Sequence, residues 1–298
     1  MQLLKNGVGA IVLILSVGLG AAVVWPQLAR SAAAEQPPLV AVSTTPNHSS
    51  GQPEAKTPSK PQAAAKPALP PKREMIQVTV VKVKPDLLNE WLEFQKNETI
   101  PMLKKAGVTQ RDAWQTGIFG ESGMYAFVTP IENFNQYDGD NPPLRALGAD
   151  GARAYAEKNR RFIASSHTYA DQTRPDLGYV VKMTGAPKLA LLSNVQIALG
   201  KGADYEALIK SDVLPVMRKA HLGYAVSQTM LGGDVNEFTT LIFYDSFADI
   251  GKGHPFDRIL GADGSRQLTA KAVGIVTHVE RSIVRYVPEL SFALRPIT

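Results

Sequence analysis

Apolar and polar residues alternate from Met75 to Val83, and this period of two predicts a β-strand. Pro85 follows, and apolar residues then recur at helical spacing as far as Met102. Pro101 has no backbone N–H to donate, so we expect the helix to kink or restart there. The elements predicted after it are two strands joined by a glycine-rich turn, a short helix, a longer helix and a last strand, at residues 109–117, 124–130, from 132, from 150 and 164–173.

The same pattern occurs a second time. At an offset of 114 residues, residues 100–106 align with residues 214–220, and one deletion later the offset becomes 113. In that register Leu147-Gly148-Ala149-Asp150-Gly151 recurs identically at residues 260–264. The second set of predicted strands is 191–198, 224–231, 237–244 and 276–287, with helices at 203–220 and from 263. We therefore expect a tandem duplication, with one unit at residues 75–184 and the other at residues 188–298.

The order of elements predicts the fold. Each unit reads β-α-β-β-α-β, which is the ferredoxin-like arrangement. Its sheet has helices on one face only, so the other face needs a cover. Two such sheets can cover each other within one chain. We predict an α+β fold in which two tandem ferredoxin-like units pair into one intramolecular α/β barrel, so that the protein is a monomer with an internal pseudo-dimer.

The chain before residue 75 has a different composition. An uncharged, apolar run at residues 8–25 predicts a signal peptide cleaved after Ala32-Ala33-Ala34, or an uncleaved signal anchor, within residues 1–34. Residues 35–74 contain nine of the 21 prolines and predict a disordered Pro/Ala/Lys-rich linker. Either reading predicts a periplasmic or extracellular location, with membrane contact only through the N-terminal segment if it stays uncleaved.

Cysteine content and charge exclude several classes of function. Because there is no cysteine, the chain cannot be a disulfide scaffold, hold a thiolate metal site or use a cysteine nucleophile. The net charge is +5, but residues 1–74 carry seven Lys+Arg and three Asp+Glu, which accounts for +4 of it. The remaining chain is nearly neutral, so we expect no nucleic-acid partner.

Two sequence segments resemble a known family. The helix end Leu-Pro-Val-Met-Arg-Lys-Ala at Leu214–Ala220 and the strand end Leu-Ile-Phe-Tyr-Asp-Ser-Phe-Ala-Asp at residues 241–249 resemble the NIPSNAP group of the dimeric α/β-barrel superfamily. The resemblance covers about residues 75–292. It implies a barrel that binds a small ligand or a protein partner, without agreed catalytic residues.

The same superfamily contains antibiotic-biosynthesis-type and haem-degrading monooxygenases and chlorite-dismutase-like proteins. The resemblance therefore implies an alternative function, a cofactor-independent or haem-assisted monooxygenase acting on an aromatic substrate. No cofactor is expected, although the resemblance allows haem, with His167 as its ligand. Whether the protein is an enzyme stays open at this point.

The last predicted strand of each unit carries candidate catalytic residues. His278 and Glu280 lie two apart and share a strand face, and His167 lies on the equivalent strand of the first unit. Imidazole and carboxylate groups suit acid–base chemistry, although a solvated strand face accounts for the same residues. No third ligand follows by spacing, so no metal site is predicted.

Ligand-binding residues are predicted in two further places. The repeated loop Pro-x-x-Arg-x-Leu-Gly-Ala-Asp-Gly-x-Arg is either an anion clamp or a structural loop, and its arginines are Arg145, Arg153, Arg258 and Arg266. The superfamily resemblance implies a pocket between helices and sheet in the first unit. The residues predicted to line that pocket are Trp114, Gln115, Tyr125 and His167.

Overall fold

The computed structural model describes residues 72–182 and 185–294, and within them eight strands form a closed antiparallel barrel. A ninth, two-residue strand pairs only with the second. The strands are β1 (Met75–Val83), β2 (Gln110–Thr116), β3 (Met124–Ile131), β4 (Ile163–Thr173), β5 (Leu189–Ile197), β6 (Tyr224–Leu231), β7 (Glu237–Tyr244), β8 (Val276–Tyr286) and β9 (Phe292–Ala293).

The order around the barrel is β2-β3-β1-β4-β6-β7-β5-β8, and β8 closes the ring by pairing with β2. We call residues 75–182 the first half and residues 185–294 the second half. Each half contributes four adjacent strands in the corresponding order, and the halves join where β4 pairs with β6 and β8 with β2. The predicted α+β class and the closed barrel are therefore confirmed.

The helices lie outside the barrel. They are α1 (Leu88–Phe94), α2 (Ile100–Lys105), α3 (Pro142–Phe162), α4 (Gly202–Leu208), α5 (Leu214–Ala220), α6 (Phe247–Gly251) and α7 (Pro255–Ala272). The interruption expected at Pro101 is a π-helical turn, Gln95–Thr99, between α1 and α2. A matching turn, Ile209–Val213, precedes Pro215. A proline cannot donate to the carbonyl four residues earlier, and the wider turn accommodates this loss.

Three predicted helix starts were wrong. The helices expected from Asp150 and Asp263 begin at Pro142 and Pro255, because Asn141 and His254 cap them there. Gly148 interrupts α3, and an equivalent glycine interrupts α7, so the expected starts lie just beyond these breaks. The short helix expected from residue 132 is a 3₁₀ turn, Phe134–Tyr137.

Each half buries its own core between helices and sheet. In the first half, Trp91 and Phe94 of α1 pack on Val81, Val83 and Tyr125 of the sheet. The equivalent core of the second half contains these residues from helices, π-turn and sheet: Tyr205, Ile209, Val213, Met217, Val195, Phe238 and Ile242. The side chains of these strands that alternate with the core residues face into the barrel.

The segments after β4 and β8 cross between the halves. Leu177, which follows β4, is fully buried in the core of the second half. Leu290, which follows β8, is fully buried in the core of the first half. Arg174 is also buried, and its guanidinium donates to Glu206 Oε1 of α4 at 2.6 Å and to both carboxylate oxygens of Asp176. Both cores are therefore completed by the opposite half.

The predicted leader, residues 1–34, lies outside the described residues, and so does nearly all of the predicted linker at residues 35–74. Among the helices formed by residues 72–182 and 185–294, none is both long enough and apolar enough to cross a membrane.

Candidate functional site

A cavity of about 360 Å³ lies between the helices and the sheet of the second half, and we call it the second-half cavity. Its apolar walls come from the sheet, from the π-turn and from α4, α5 and α7. The principal apolar residues are Val195, Leu208, Ile209, Val213, Met217, Ile242, Phe256, Leu268, Val273, Val276 and Val279. The polar residues are Ser193, Tyr205, Tyr224, Thr240, His254, Thr269 and Arg281.

The local sequence explains how these side chains converge. Strand alternation directs Val195 and Ile242 outward from the barrel towards the helices. The π-turn ahead of Pro215 contributes Ile209 and Val213, which are both buried and line the cavity. π-helical turns are frequent at functional sites, because the extra residue displaces side chains from regular helical positions.

His254 is the histidine of this cavity. It caps α7, and its Nδ1 accepts a hydrogen bond from the backbone N–H of Phe256 at 3.3 Å. Burial, with a contribution from the charge of Arg281, lowers the pKa of His254 to about 4. The imidazole is therefore neutral near pH 7. Since Nδ1 accepts, the neutral ring carries its proton on Nε2 and can donate from there.

Two tyrosines add buried hydroxyl groups to the cavity. Burial raises the pKa of Tyr205 and of Tyr224, so both phenols are protonated at neutral pH. The ring centroid of Tyr205 lies 4.9 Å from that of Phe238, which fixes it against the sheet. The cavity thus combines neutral hydrogen-bonding groups with apolar walls.

The opening of the cavity is partly apolar. Val273 is 78% exposed and Val279 is 41% exposed, although both line the cavity. Arg281 lies two residues from Val279 on the same strand face and is also exposed. An apolar rim beside a cation suits a ligand with an apolar body and one polar or anionic group.

The histidines proposed from the sequence lie elsewhere. His167 pairs with Val80 in the β1–β4 ladder, and its strand position directs it into the barrel, where it is exposed. His278 and Glu280 have the same orientation on β8, opposite Gln196 and Asn194. The strands β4 and β8 are not neighbours, and among the described residues no hydrogen bond joins His167 to His278 or Glu280. Among the described residues, no cluster of three or more His, Asp or Glu side chains could hold a metal ion.

The residues proposed for a pocket in the first unit are divided between the two faces of the sheet. Trp114 faces into the barrel, where its ring centroid lies 6.3 Å from that of Phe243 and 5.2 Å from that of Tyr286. Gln115 and Tyr125 face the helices, and Tyr125 packs against Trp91 at 4.5 Å. With His167 inside the barrel, these four residues do not line one pocket.

The four arginines of the repeated loop do not converge. Arg145 donates to the backbone oxygens of Ala106 and Asp140. Arg153 pairs with Asp150 at 2.6 Å on an exposed helix surface, and Arg266 pairs with Asp263 in the same way. Arg258 lines a separate groove near the junction of the halves.

Sequence reasoning missed the residues that the second-half cavity brings together. His254 carried one signal, because a histidine directly before Pro255 can cap a helix that starts with proline. Arg281 lies between His278 and Ser282 on β8, but strand alternation alone cannot tell which face meets the helices. Tyr224 had no signal beyond its place in an apolar strand.

Comparisons with known proteins give likenesses of fold. No protein-family model matches the chain, and no curated protein sequence matches it. A solved anthrone oxidase-like protein is similar, with 10% identity, 74% of this chain and 93% of that chain covered, and a TM-score of 0.49. A haem-binding protein from Thermus thermophilus is similar with 11% identity and a TM-score of 0.42, and the match covers 73% of this chain and 93% of that chain. A NIPSNAP family protein from Agrobacterium tumefaciens is similar with 8% identity and a TM-score of 0.28, and the match covers 38% of this chain and 97% of that chain.

Proposed function

We propose that this protein binds a small, largely apolar molecule in the second-half cavity. The observation that carries this proposal is a space of about 360 Å³ whose apolar lining reaches solvent at Val273 and Val279. Ligand cavities in proteins commonly measure roughly 300–1,000 Å³ and have apolar walls with a few polar groups. The free energy of binding would come mainly from the apolar surface that ligand and cavity remove from water.

The polar groups of the cavity give the ligand an orientation. The neutral imidazole of His254 and the guanidinium of Arg281 lie close enough for the charge of one to affect the pKa of the other. Both can donate to an acceptor, so the polar end of the ligand would be a carbonyl, phenol or carboxylate. Its apolar body would then lie against Ile209, Val213 and Met217.

The proposal includes the organisation of the chain. The repeated sequence and the corresponding strand orders of the two halves support two tandem ferredoxin-like units that pair as an internal pseudo-dimer. The apolar run at residues 8–25 supports export, followed either by cleavage or by anchoring in the cytoplasmic membrane. Residues 35–74 would then be a tether that holds the ligand-binding barrel away from the membrane.

One observation favours a second function in the same cavity. His254 is neutral and carries its proton on Nε2 beside the charged Arg281, within walls that suit a planar aromatic molecule. N–H donors of both groups would stabilise the anion that a phenolic substrate forms when it loses its proton to water, and a cofactor-independent monooxygenase would need such an anion. Haem has weaker support, because His254 is the one histidine among the described residues that line this cavity and its Nδ1 already accepts a hydrogen bond.

Isothermal titration calorimetry of the full chain with 1-naphthol tests the binding proposal. We expect the Kd to rise about tenfold or more in Ala272→Phe, because the new ring occupies space between α7 and the sheet. The matched control is Ala154→Phe on α3, an exposed position that lines no cavity described above, and its Kd should equal that of the wild type. Absence of binding, or equal binding by Ala272→Phe, would refute the proposal.

An oxygen electrode separates binding from catalysis. The binding function predicts no oxygen uptake with 1-naphthol or a quinol. Uptake that is lost in His254→Leu, which removes the N–H donor, would establish the monooxygenase function instead. A Soret band in the purified protein would show that haem is bound.

A further inference from the structure

The first half contains a buried arginine that has no ionic partner among the described residues. Arg111 on β2 is only 3% exposed. Its guanidinium donates to Gln95 Oε1 at 2.8 Å and stacks on Phe127, with 3.6 Å between its central carbon and the ring centroid. Its Nε–H has no hydrogen-bond partner in the structure. Burial lowers the pKa of Arg111 to about 10, so the group is still charged near pH 7.

A second donor without a partner lies beside the same space. Trp91 is fully buried, and its indole Nε1–H also has no hydrogen-bond partner. Arg111 and Trp91 both line a cavity of about 220 Å³ between the helices and the sheet, which we call the first-half cavity. Buried indole and guanidinium N–H groups nearly always have an acceptor, because an unpaired donor loses its hydrogen bonds to water without replacing them.

The surroundings of the first-half cavity are suited to an anion. None of its lining residues is acidic. Thr79, Val81, Tyr155, Asn159 and Ile163 also line an adjoining cavity of about 440 Å³, which has no acidic residue either and includes Arg160. The adjoining space gives a route between solvent and Arg111, and the charge of Arg160 would attract anions along it.

We propose that the first-half cavity binds a small organic carboxylate, whose oxygens accept hydrogen bonds from Arg111 Nε and Trp91 Nε1. A carboxylate matches the planar donors of a guanidinium and neutralises its charge. The walls contain Val81, Leu103 and Ile163 as well as polar groups, which favours a monoanion with an apolar body over the more strongly hydrated phosphate or sulfate.

The two cavities occupy corresponding positions but differ in chemistry. In the sequence alignment of the two units, Arg111 corresponds to Tyr224 at an offset of 113, and the π-turn residue Gln95 corresponds to Ile209 at an offset of 114. The first-half cavity therefore has a cation and an amide where the second-half cavity has a phenol and an aliphatic side chain. This site does not rest on the proposed function, because the two cavities have separate linings.

The test is isothermal titration calorimetry of the full chain with sodium benzoate, beside its neutral analogue benzamide. We expect benzoate to bind and benzamide to bind at least about tenfold more weakly. The Kd for benzoate should rise about tenfold or more in Arg111→Gln, and about threefold or more in Trp91→Phe, which keeps an aromatic ring and removes the N–H. Arg153→Gln, on the exposed face of α3, is the control and should leave the Kd unchanged.

A direct readout avoids dependence on the folding of a variant. In the wild-type ¹H–¹⁵N spectrum, benzoate should shift the Nε–H signal of Arg111, which Arg111→Lys identifies by its disappearance. The proposal would be overturned if the Kd for benzoate were the same in the wild type and in Arg111→Gln. It would also be overturned if the wild type bound benzamide and benzoate with the same Kd. Tighter binding of sulfate or phosphate than of benzoate would overturn the assignment of the ligand as an organic carboxylate. Binding of 1-naphthol should be unaffected by Arg111→Gln, which keeps the two sites distinguishable.

Discussion

At the scale of single residues, Asp171 on β4 shows how burial acts on one charge. The residue is 1% exposed, and Oδ2 accepts from Ser227 Oγ at 2.6 Å, whereas Oδ1 has no partner. Burial raises the pKa of Asp171, and the hydrogen bond from Ser227, with a smaller contribution from the nearby hydroxyl of Thr229, only partly opposes this. Folding therefore raises the affinity of this carboxyl group for a proton. Its ionised form lowers the stability at every pH above the unfolded-state pKa of about 3.9.

We expect Asp171→Asn to raise the free energy of unfolding at pH 7, because the amide carries no charge into the interior. The gain should shrink as the pH falls towards about 4, where the aspartate of the unfolded chain also becomes protonated. Urea denaturation at pH 7, 5.5 and 4 measures this, with the exposed Asp138→Asn as a control. A variant less stable than the wild type at pH 7 would mean that the hydrogen bonds outweigh the burial of charge.

At the scale of elements, two glycines break the long outer helices. Gly148 in α3 has φ 72° and ψ 179°, and Gly261 in α7 has φ 70° and ψ 175°, a combination that is almost restricted to glycine. A Cβ atom at either position would meet nothing within 4 Å, so the cost of a substitution is a backbone cost alone.

We expect Gly148→Ala and Gly261→Ala each to lower the free energy of unfolding by about 1–3 kcal/mol. Gly202→Ala is the matched control, because Gly202 has no positive φ, lies in α4 and also has open space around it. That variant should be neutral or slightly stabilising, since alanine favours the helix. Thermal and urea unfolding of the three variants measures the difference, and equal stability of all three would contradict the argument.

At the scale of the whole molecule, an ion-pair network links the halves. Arg174 holds the pKa of Asp176 at about 2, mainly by a hydrogen bond, and lowers the pKa of Glu206. A carboxylate whose pKa falls on folding stabilises the protein above its unfolded-state pKa and loses that contribution as the pH falls through its native pKa. The change from the ordinary aspartate pKa of 3.8 corresponds to roughly 2 kcal/mol for Asp176.

We therefore expect Asp176→Asn to be less stable than the wild type by roughly 2 kcal/mol above pH 5, and the difference to disappear between about pH 4 and pH 2. Urea denaturation of both proteins across this range measures it. A difference that does not depend on pH would assign the effect of Asp176 to packing instead of charge.

The closed barrel predicts how the protein behaves when it is divided. An isolated fragment of residues 75–182 would leave Leu177 without its core and β2 and β4 without their partners β8 and β6. We expect residues 75–298 to run as a monomer in light scattering, and the fragment 75–182 to dimerise or aggregate. A monomeric fragment that melts at the temperature of the longer chain would contradict the intramolecular pairing.

The sequence by itself determined most of the local structure. Period-two alternation located the strands to within about two residues, because half-buried strands need opposite faces of different polarity. Pro101 indicated the break before α2, and Gly148 and Gly261 indicated positions where other residues are strained. Each of these features depends on the conformational limits of a few consecutive residues, and these limits act whatever the rest of the chain does.

Only the tertiary structure decided which residues meet. Alternation shows that Trp114 and Gln115 face opposite ways, but it cannot say that Trp114 lies inside the barrel near Phe243, 129 residues further along the chain. The cavity residues His254 and Arg281 come from different elements, and Arg111 meets Gln95 across the helix–sheet interface. Such contacts depend on how the sheet closes and how the helices pack against it. Many weak interactions between residues far apart in the sequence determine both, and no short pattern of residues predicts them.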